Sequence, residues 1–299
     1  MRLWAVAASL APGLAWEHLG PKNIFNDAAG HGESGTLADA ASPAANPQLI
    51  YTGGSNNGAA SGILRTTDGG STWLRKSKGL LDTRISAVLV SPDDPSGAHV
   101  YAGTFLNGLY ESTTSAETWS PVPATAALGH VRGLSVGVVG GTKSIIAAGA
   151  AGFASTPVAA NTSAAQWTIA PYPPPTDPEF TNKNGNRFTA SIDPSTGNTV
   201  LGSCVRVAKA DAGFAGEAFV GLFTSAATIE WRRPGGRTIP CATLGLHPTN
   251  PQHFIYSNST WGTPGASVLG NTWGSFDGGV TRAASLSFLP FFSSPHLIS

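Results

Sequence analysis

An eight-residue frame, Thr66-Thr67-Asp68-Gly69-Gly70-Ser71-Thr72-Trp73, limits what this chain can fold into, because it returns along the sequence. Ser112 to Trp119 repeats it with Thr114 in place of the aspartate. Ser155 to Trp167 is a looser copy with inserted residues, and Thr224 to Trp231 keeps the spacing without Asp or Gly. The frame from Ser275 to Arg282 keeps Asp277 and Gly279 and loses only the tryptophan. The closing positions, Trp73, Trp119, Trp167, Trp231 and Arg282, lie 46, 48, 64 and 51 residues apart. Self-similarity at such a period marks a repeat architecture.

A second pattern precedes each frame in register, over residues 37–53, 86–103, 134–149, 189–204 and 242–258. Each is a small, β-rich run, a turn of Pro, Asp, Asn or Gly, and a second apolar run, which is a hairpin signal. A third strand follows, as in Gly62-Ile63-Leu64-Arg65, then the frame, then a fourth strand beginning at the tryptophan. Four strands every ~45 residues is the signature of a propeller blade. The expectation is an all-β chain, a β-propeller of about five four-stranded blades near 35–78, 84–123, 132–170, 187–233 and 240–290. Its 37 Gly and 22 Pro suit frequent turns. The frame residues serve structure: Asp68 and Asp277 accept backbone N–H bonds within the turn. Gly70 and Gly279 supply positive φ, and Trp73, Trp119, Trp167 and Trp231 pack between blades. Tyr51, Tyr101 and Tyr256 are read as matching core positions.

These frames resemble the Ser-x-Asp-x-Gly-x-Thr-Trp motif of Asp-box (BNR-repeat) propellers, a superfamily of sialidases, xyloglucanases, sortilin-type receptors and photosystem assembly factors. Trp16-Glu17-His18-Leu19-Gly20-Pro21, Ser34-Gly35-Thr36 and Ile50-Tyr51-Thr52-Gly53 are most similar to secreted repeat proteins of this group. The resemblance implies that the boxes lie on the rim and that ligands meet the central face. Trp16 to Leu19 matches a fourth strand, so either five blades close with a redundant edge strand or the chain belongs to a larger propeller.

Several function classes are disfavoured by composition. The 17 basic and 17 acidic residues cancel, and charged residues are only 11% of the chain, which gives no grip on a nucleic-acid backbone. No segment reaches the ~20 apolar residues that span a bilayer. Residues 1–15 read as a secretory signal cleaved before Trp16, or as a start placed upstream of the folded chain. Secretion would give meaning to the sequons at Asn161 and Asn258. Cys204 and Cys241 are either one disulfide or two buried thiols. The seven histidines show no close metal-ligand spacing and the two cysteines no zinc motif, so neither metal nor cofactor is expected.

The loops that lead into the innermost strands carry Arg84, Arg132, Arg187 and, less well aligned, Arg237. Converging guanidiniums would hold a carboxylate bidentately; the plainer reading pairs each with a loop acid such as Asp82. A glycosidase normally needs two carboxylates about 5–10 Å apart. Glu33, Asp82 and Glu179 are candidate acids, with Asp27, Asp177, Asp211 and Glu217 behind them, and sequence brings no two together. The Arg-Ile-Pro opening that sialidase propellers carry is missing at the first blade, where Gly35-Thr36-Leu37 stands. The expectation is a secreted, non-catalytic propeller that binds a glycan or protein on its central face. The alternatives are a glycoside hydrolase, or part of a receptor or assembly factor.

Overall fold

A computed structural model describes residues 25–26, 31–32, 37–54, 61–158, 167–172, 188–208, 214–236, 243–258, 271–281 and 283–286. After a short β1–β2 pair (Phe25–Asn26, His31–Gly32), the described strands form five four-stranded antiparallel sheets in chain order. The first is β3 (Leu37–Ala41), β4 (Ile50–Gly54), β5 (Gly62–Thr66) and β6 (Leu74–Arg75). The second is β7 (Ile85–Val90), β8 (Val100–Thr104), β9 (Leu109–Ser112) and β10 (Ser120–Pro121). Then come β11 (Val131–Val139), β12 (Thr142–Gly149), β13 (Gly152–Pro157) and β14 (Thr168–Pro171). The fourth sheet is β15 (Phe188–Ile192), β16 (Thr199–Ala208), β17 (Phe214–Ser225) and β18 (Thr228–Arg232), and the fifth β19 (Thr243–His247), β20 (Asn250–Asn258), β21 (Asn271–Ser275) and β22 (Ala283–Leu286). Each is a simple meander, and the first strands β3, β7, β11, β15 and β19 pack successively against one another.

Near-continuous burial along the middle strands, as in Val100–Thr104 and Gly152–Pro157, shows that these strands are covered on both faces by neighbouring sheets. Tyr51, Ile63, Val88 and Val100 meet between the first and second sheets. Tyr101, Leu109, Ile145 and Trp167 meet between the second and third. Further clusters centre on Phe153, Leu201 and Phe223, and on Val220, Leu246 and Phe254. Each fully buried aliphatic side chain contributes about 1.5–3 kcal/mol. The sheets come close because glycine stands where a side chain would collide. A Cβ on Gly53 would lie 2.4 Å from Ile85 Cγ2, and one on Gly103 would lie 2.8 Å from Val131 Cγ1. Ile85 and Val131, the first residues of β7 and β11, are thus each seated in a notch of the preceding sheet. Hydroxyls add polar stitches: Ser86 Oγ donates to the Val131 carbonyl, and Thr189 Oγ1 donates to the Leu244 carbonyl and accepts from the Leu246 N–H, both at 3.1 Å.

The first and last frames are the same turn atom for atom. Asp68 accepts from Thr72 N at 2.9 Å and Thr72 Oγ1 at 2.6 Å, while Thr66 Oγ1 accepts from Gly70 N at 2.9 Å. Asp277 accepts from Thr281 N at 2.9 Å and Thr281 Oγ1 at 2.5 Å, and Ser275 Oγ accepts from Gly279 N at 2.8 Å. Hydrogen bonds from Thr66 and Thr72 hold the Asp68 carboxyl down at about 2, and those from Thr281 and Ser275 do the same for Asp277. Of the tryptophans, Trp73 Nε1 donates locally to the Gly70 carbonyl, whereas Trp119 Nε1 crosses to the Lys76 carbonyl of the first sheet.

Two readings of the repeat are corrected. The frame from Thr224 to Trp231 forms no such turn: Ser225 pairs with Thr228 in a tight hairpin, and Trp231 lies inside β18 opposite Gly221. Without the Asp and Gly, the ladder simply continues to the hairpin end. Tyr256 does not match Tyr51 and Tyr101 either. The frames begin opposite Ile50, Val100 and Phe254, so the residue after each is Tyr51, Tyr101 and Ile255. Tyr51 reaches the second sheet through a 2.8 Å bond from its hydroxyl to the Gly97 carbonyl, while Tyr256 packs back against the fourth sheet.

The second frame keeps the turn without its glycines. Gly69 and Gly70 have φ of 68° and 98°, and Ser115 and Ala116 occupy the same places at 54° and 66°. A side chain in this left-handed region costs about 1–2 kcal/mol, which glycine avoids. Ser115→Gly should therefore stabilise the fold by about 1 kcal/mol, raising Tm by roughly 2–4 °C. A calorimetric scan showing a lower Tm would contradict this.

Candidate functional site

The notch contacts deliver a cluster to the end of the second and third sheets where inner strands begin. Ile85, seated against Gly53, fixes Arg84 before it; Val131, seated against Gly103, fixes His130 on one side and Arg132 on the other. The β8–β9 loop adds Phe105, whose N–H donates to the Arg84 carbonyl at 3.2 Å. A 3₁₀ turn, Pro123–Leu128, leads the chain to His130, with its buried Thr125 accepting the Leu109 N–H at 3.0 Å.

Within the cluster, Arg84 wraps onto Asp82. Asp82 Oδ1 accepts from Arg84 N at 3.0 Å and Nε at 3.1 Å, and Oδ2 accepts from an Nη at 3.3 Å. The guanidinium carbon lies 5.3 Å from the Phe105 ring centre, within cation–π range. Phe105 stacks on His130, with ring centres 3.9 Å apart and planes at 27°. Arg132 Nε then donates to His130 Nδ1 at 3.2 Å. The Arg84 guanidinium thus lies over Phe105, the phenyl stacks on the imidazole, and the Arg132 guanidinium meets the imidazole at its Nδ1 edge. Because Nδ1 accepts, the neutral ring carries its proton on Nε2.

Burial, followed by the charges of Arg132 and Arg84, lowers the His130 pKa from 6.5 to about 4. The imidazole is therefore neutral near pH 7, and Arg84 is paired with Asp82. Arg132 also bears on Tyr172, whose hydroxyl donates to the Gly149 carbonyl at 3.1 Å and whose pKa burial raises. On the same end of the molecule, β16 and β17 carry their ladder out to Ala208↔Phe214.

The arginines are not repeat equivalents. Pairing of Ile85 with Thr104 and of Val131 with Gly149 aligns Arg84 with His130. Arg132 instead occupies a β-bulge between Val131 and Gly133, as Ser86 does between Ile85 and Ala87. Bulges re-aim side chains beside binding sites, and this one turns Arg132 onto the imidazole from the opposite side. Arg187, Arg237, Glu33, Glu179, Asp27, Asp177 and Asp211 lie outside the described residues, as do Asn161 and Cys241; for Glu217 and Asn258 only the backbone is described. Cys204 is disulfide-bonded. Phe105 and His130 were missed in sequence; aligning Ile85 with Val131 would have set His130 against Arg84.

The fold is that of a β-propeller. No protein-family description matches the chain, and no curated protein is similar to it. Among solved structures, it is similar to the GH74 enzyme of Niastella koreensis (TM-score 0.55, 18% identity, covering 84% of this chain and 38% of that one). It is also similar to the GH74 xyloglucanase of Xanthomonas campestris (TM-score 0.53, 16% identity, 83% and 38%). A third match is YCF48 bound to D1 peptide (TM-score 0.52, 15% identity, 85% and 69%). The chain thus spans under two fifths of the GH74 chains it matches. At these identities the likeness establishes the fold alone.

The pKa shifts set two pH windows. Between pH 6.5 and about 4 the unfolded chain protonates His130 and the folded chain does not, so stability falls as pH drops through that window. Asp68 and Asp277 stabilise above 3.8 and lose that contribution as pH falls toward 2. The His130 effect is on the order of 1 kcal/mol, because the half-exposed ring is screened by solvent. In urea melts, His130→Gln should flatten the curve between pH 6.5 and 4; variant and wild-type curves running parallel there would contradict the assignment.

Proposed function

We propose that this chain is a non-catalytic binding propeller of the Asp-box type that holds a carboxylate-bearing ligand on the face where Arg84 and Arg132 flank the Phe105–His130 stack. The observation that carries this reading is the run of contacts from Arg84 over Phe105 to the neutral His130 and on to Arg132, which brings two guanidiniums to one end of the sheets. Planar forks of this kind recognise carboxylates bidentately, and the stacked rings give a flat apolar floor beside the charge. YCF48, which shares the propeller fold, is seen bound to D1 peptide, which supports a peptide as the ligand of the present chain.

A glycoside hydrolase, as the GH74 enzymes are, is less well supported. Hydrolysis calls for an acid free to transfer a proton or attack a sugar, and Asp82, the one candidate acid whose side chain is among the described residues, has both oxygens engaged by Arg84. Secretion is the setting we propose, supported by the apolar leader and by the disulfide at Cys204, since such bonds persist in oxidising compartments.

Titration with sodium glutarate tests the binding reading, using the Nε–H NMR signals of Arg84 and Arg132. Both signals should shift in wild type. Arg132→Ala should weaken binding about ten- to a hundredfold, from loss of a charge-assisted bond worth roughly 1.5–3 kcal/mol. Arg132→Lys, which keeps charge without the fork, should fall between. Unmoved arginine signals at saturating glutarate would overturn the proposal.

A further inference from the structure

The Arg132 Nε–H and a proton on His130 Nδ1 compete for the same space. Their 3.2 Å hydrogen bond exists because Nδ1 offers a lone pair. Once protonated, that nitrogen becomes a donor and the two N–H groups oppose each other. Whatever else Arg132 touches, this one contact is closed to the imidazolium. Stacking on Phe105 survives the change, because a cationic ring 3.9 Å from a phenyl keeps a favourable contact. Among the described residues, the charged and titratable groups around His130 are Arg132 on β11, Arg84 and Asp82 ahead of β7 and, beyond Arg132, Tyr172. The 3₁₀ turn Pro123–Leu128 and the Phe105 loop bring none.

Resting on the carboxylate reading above, we infer that this face is a proton-linked binding site, at which a bound carboxylate and a proton on His130 favour one another. An anion drawn to the guanidiniums lies beside the ring and offsets the positive field that opposes its protonation. That field is also what attracts the anion, so the two events share one coupling. Reciprocity then requires the proton to tighten carboxylate binding by the same factor with which the carboxylate tightens the proton. In the free protein, burial and the charges of Arg132 and Arg84 hold the midpoint at about 4. A ligand that offsets the charges but not the burial returns it part of the way to 6.5, so binding takes up a proton in that interval. The hold on a carboxylate is thus strongest in acidic surroundings and relaxes on neutralisation.

Sodium dichloroacetate is the probe, because it stays ionised across the whole range and adds no titration of its own. The His130 ring of the full chain is followed by NMR across pH without ligand, with dichloroacetate, and with sodium chloride at equal concentration. Dichloroacetate should raise the midpoint by about one pH unit, and chloride by much less. Affinity read from the Arg84 and Arg132 Nε–H signals should then be about fivefold tighter near pH 4 than near pH 7. His130→Gln should bind equally at the two. A His130 midpoint left in place while the arginine signals move overturns this inference and leaves the carboxylate reading intact. An equal shift in chloride overturns it as well, since screening then accounts for the change, and so does a pH dependence that persists in His130→Gln. Arginine signals that dichloroacetate leaves unmoved remove both readings.

Discussion

The absence of a side chain at Gly53 and Gly103 sets the distance between neighbouring sheets. A methyl group at either place would overlap Ile85 or Val131, and interiors packed as densely as crystals do not absorb such overlap cheaply. The same contact also decides where function can be built. Ile85 and Val131 are the first residues of β7 and β11, so seating them fixes the residues immediately before them, Arg84 and His130. Ser86 then grips the Val131 carbonyl, and the bulge that follows carries Arg132 round to the other side of the imidazole. A packing constraint between sheets thus becomes a geometric constraint on a binding face.

The frame turns carry a different burden. Their side-chain hydrogen bonds run between residues at most four apart, as in Asp68 with Thr72 and Ser275 with Gly279, and a backbone bond ties each to the hairpin ahead of it, as Gly69 N–H to the Gln48 carbonyl. The side-chain part of each turn can therefore degrade alone. The second frame shows how far this goes: Thr114 takes the place of the aspartate, accepting the Thr118 N–H at 3.1 Å, and two non-glycine residues hold the left-handed turn. At the fourth frame the turn is gone and the strands merely close in a hairpin. The sheets persist in each case because the apolar clusters between them, not the turns, supply most of the burial.

That division explains what could be read from the residues. The all-β repeat was legible because the frame's side-chain chemistry is local and the short apolar runs recur in step with it. Register was harder. Ile50-Tyr51 and Ile255-Tyr256 look alike as dipeptides, yet pairing with Thr66 and Ser275 puts them one residue out of step. The site was harder still. Residue type aligned Arg84 with Arg132, whereas strand pairing aligns Arg84 with His130, and the bulge responsible leaves no mark in composition. Phe105 was invisible for a related reason: its role comes only from stacking across to a loop 25 residues further on. What the sequence did carry was the placement of Arg84 and Arg132 beside the inner-strand starts at Ile85 and Val131.

The most direct test of this dependence follows the His130 imidazole by NMR across pH in wild type and in Gly103→Ala. Wild type should hold the ring neutral down to about 4. The added methyl should displace Val131, loosen the Arg132 contact, and return the midpoint toward 6.5 while the strand signals of the other sheets persist. An unchanged midpoint in the folded variant, or a wild-type ring titrating near 6.5, would show that the glycine notch does not position this face.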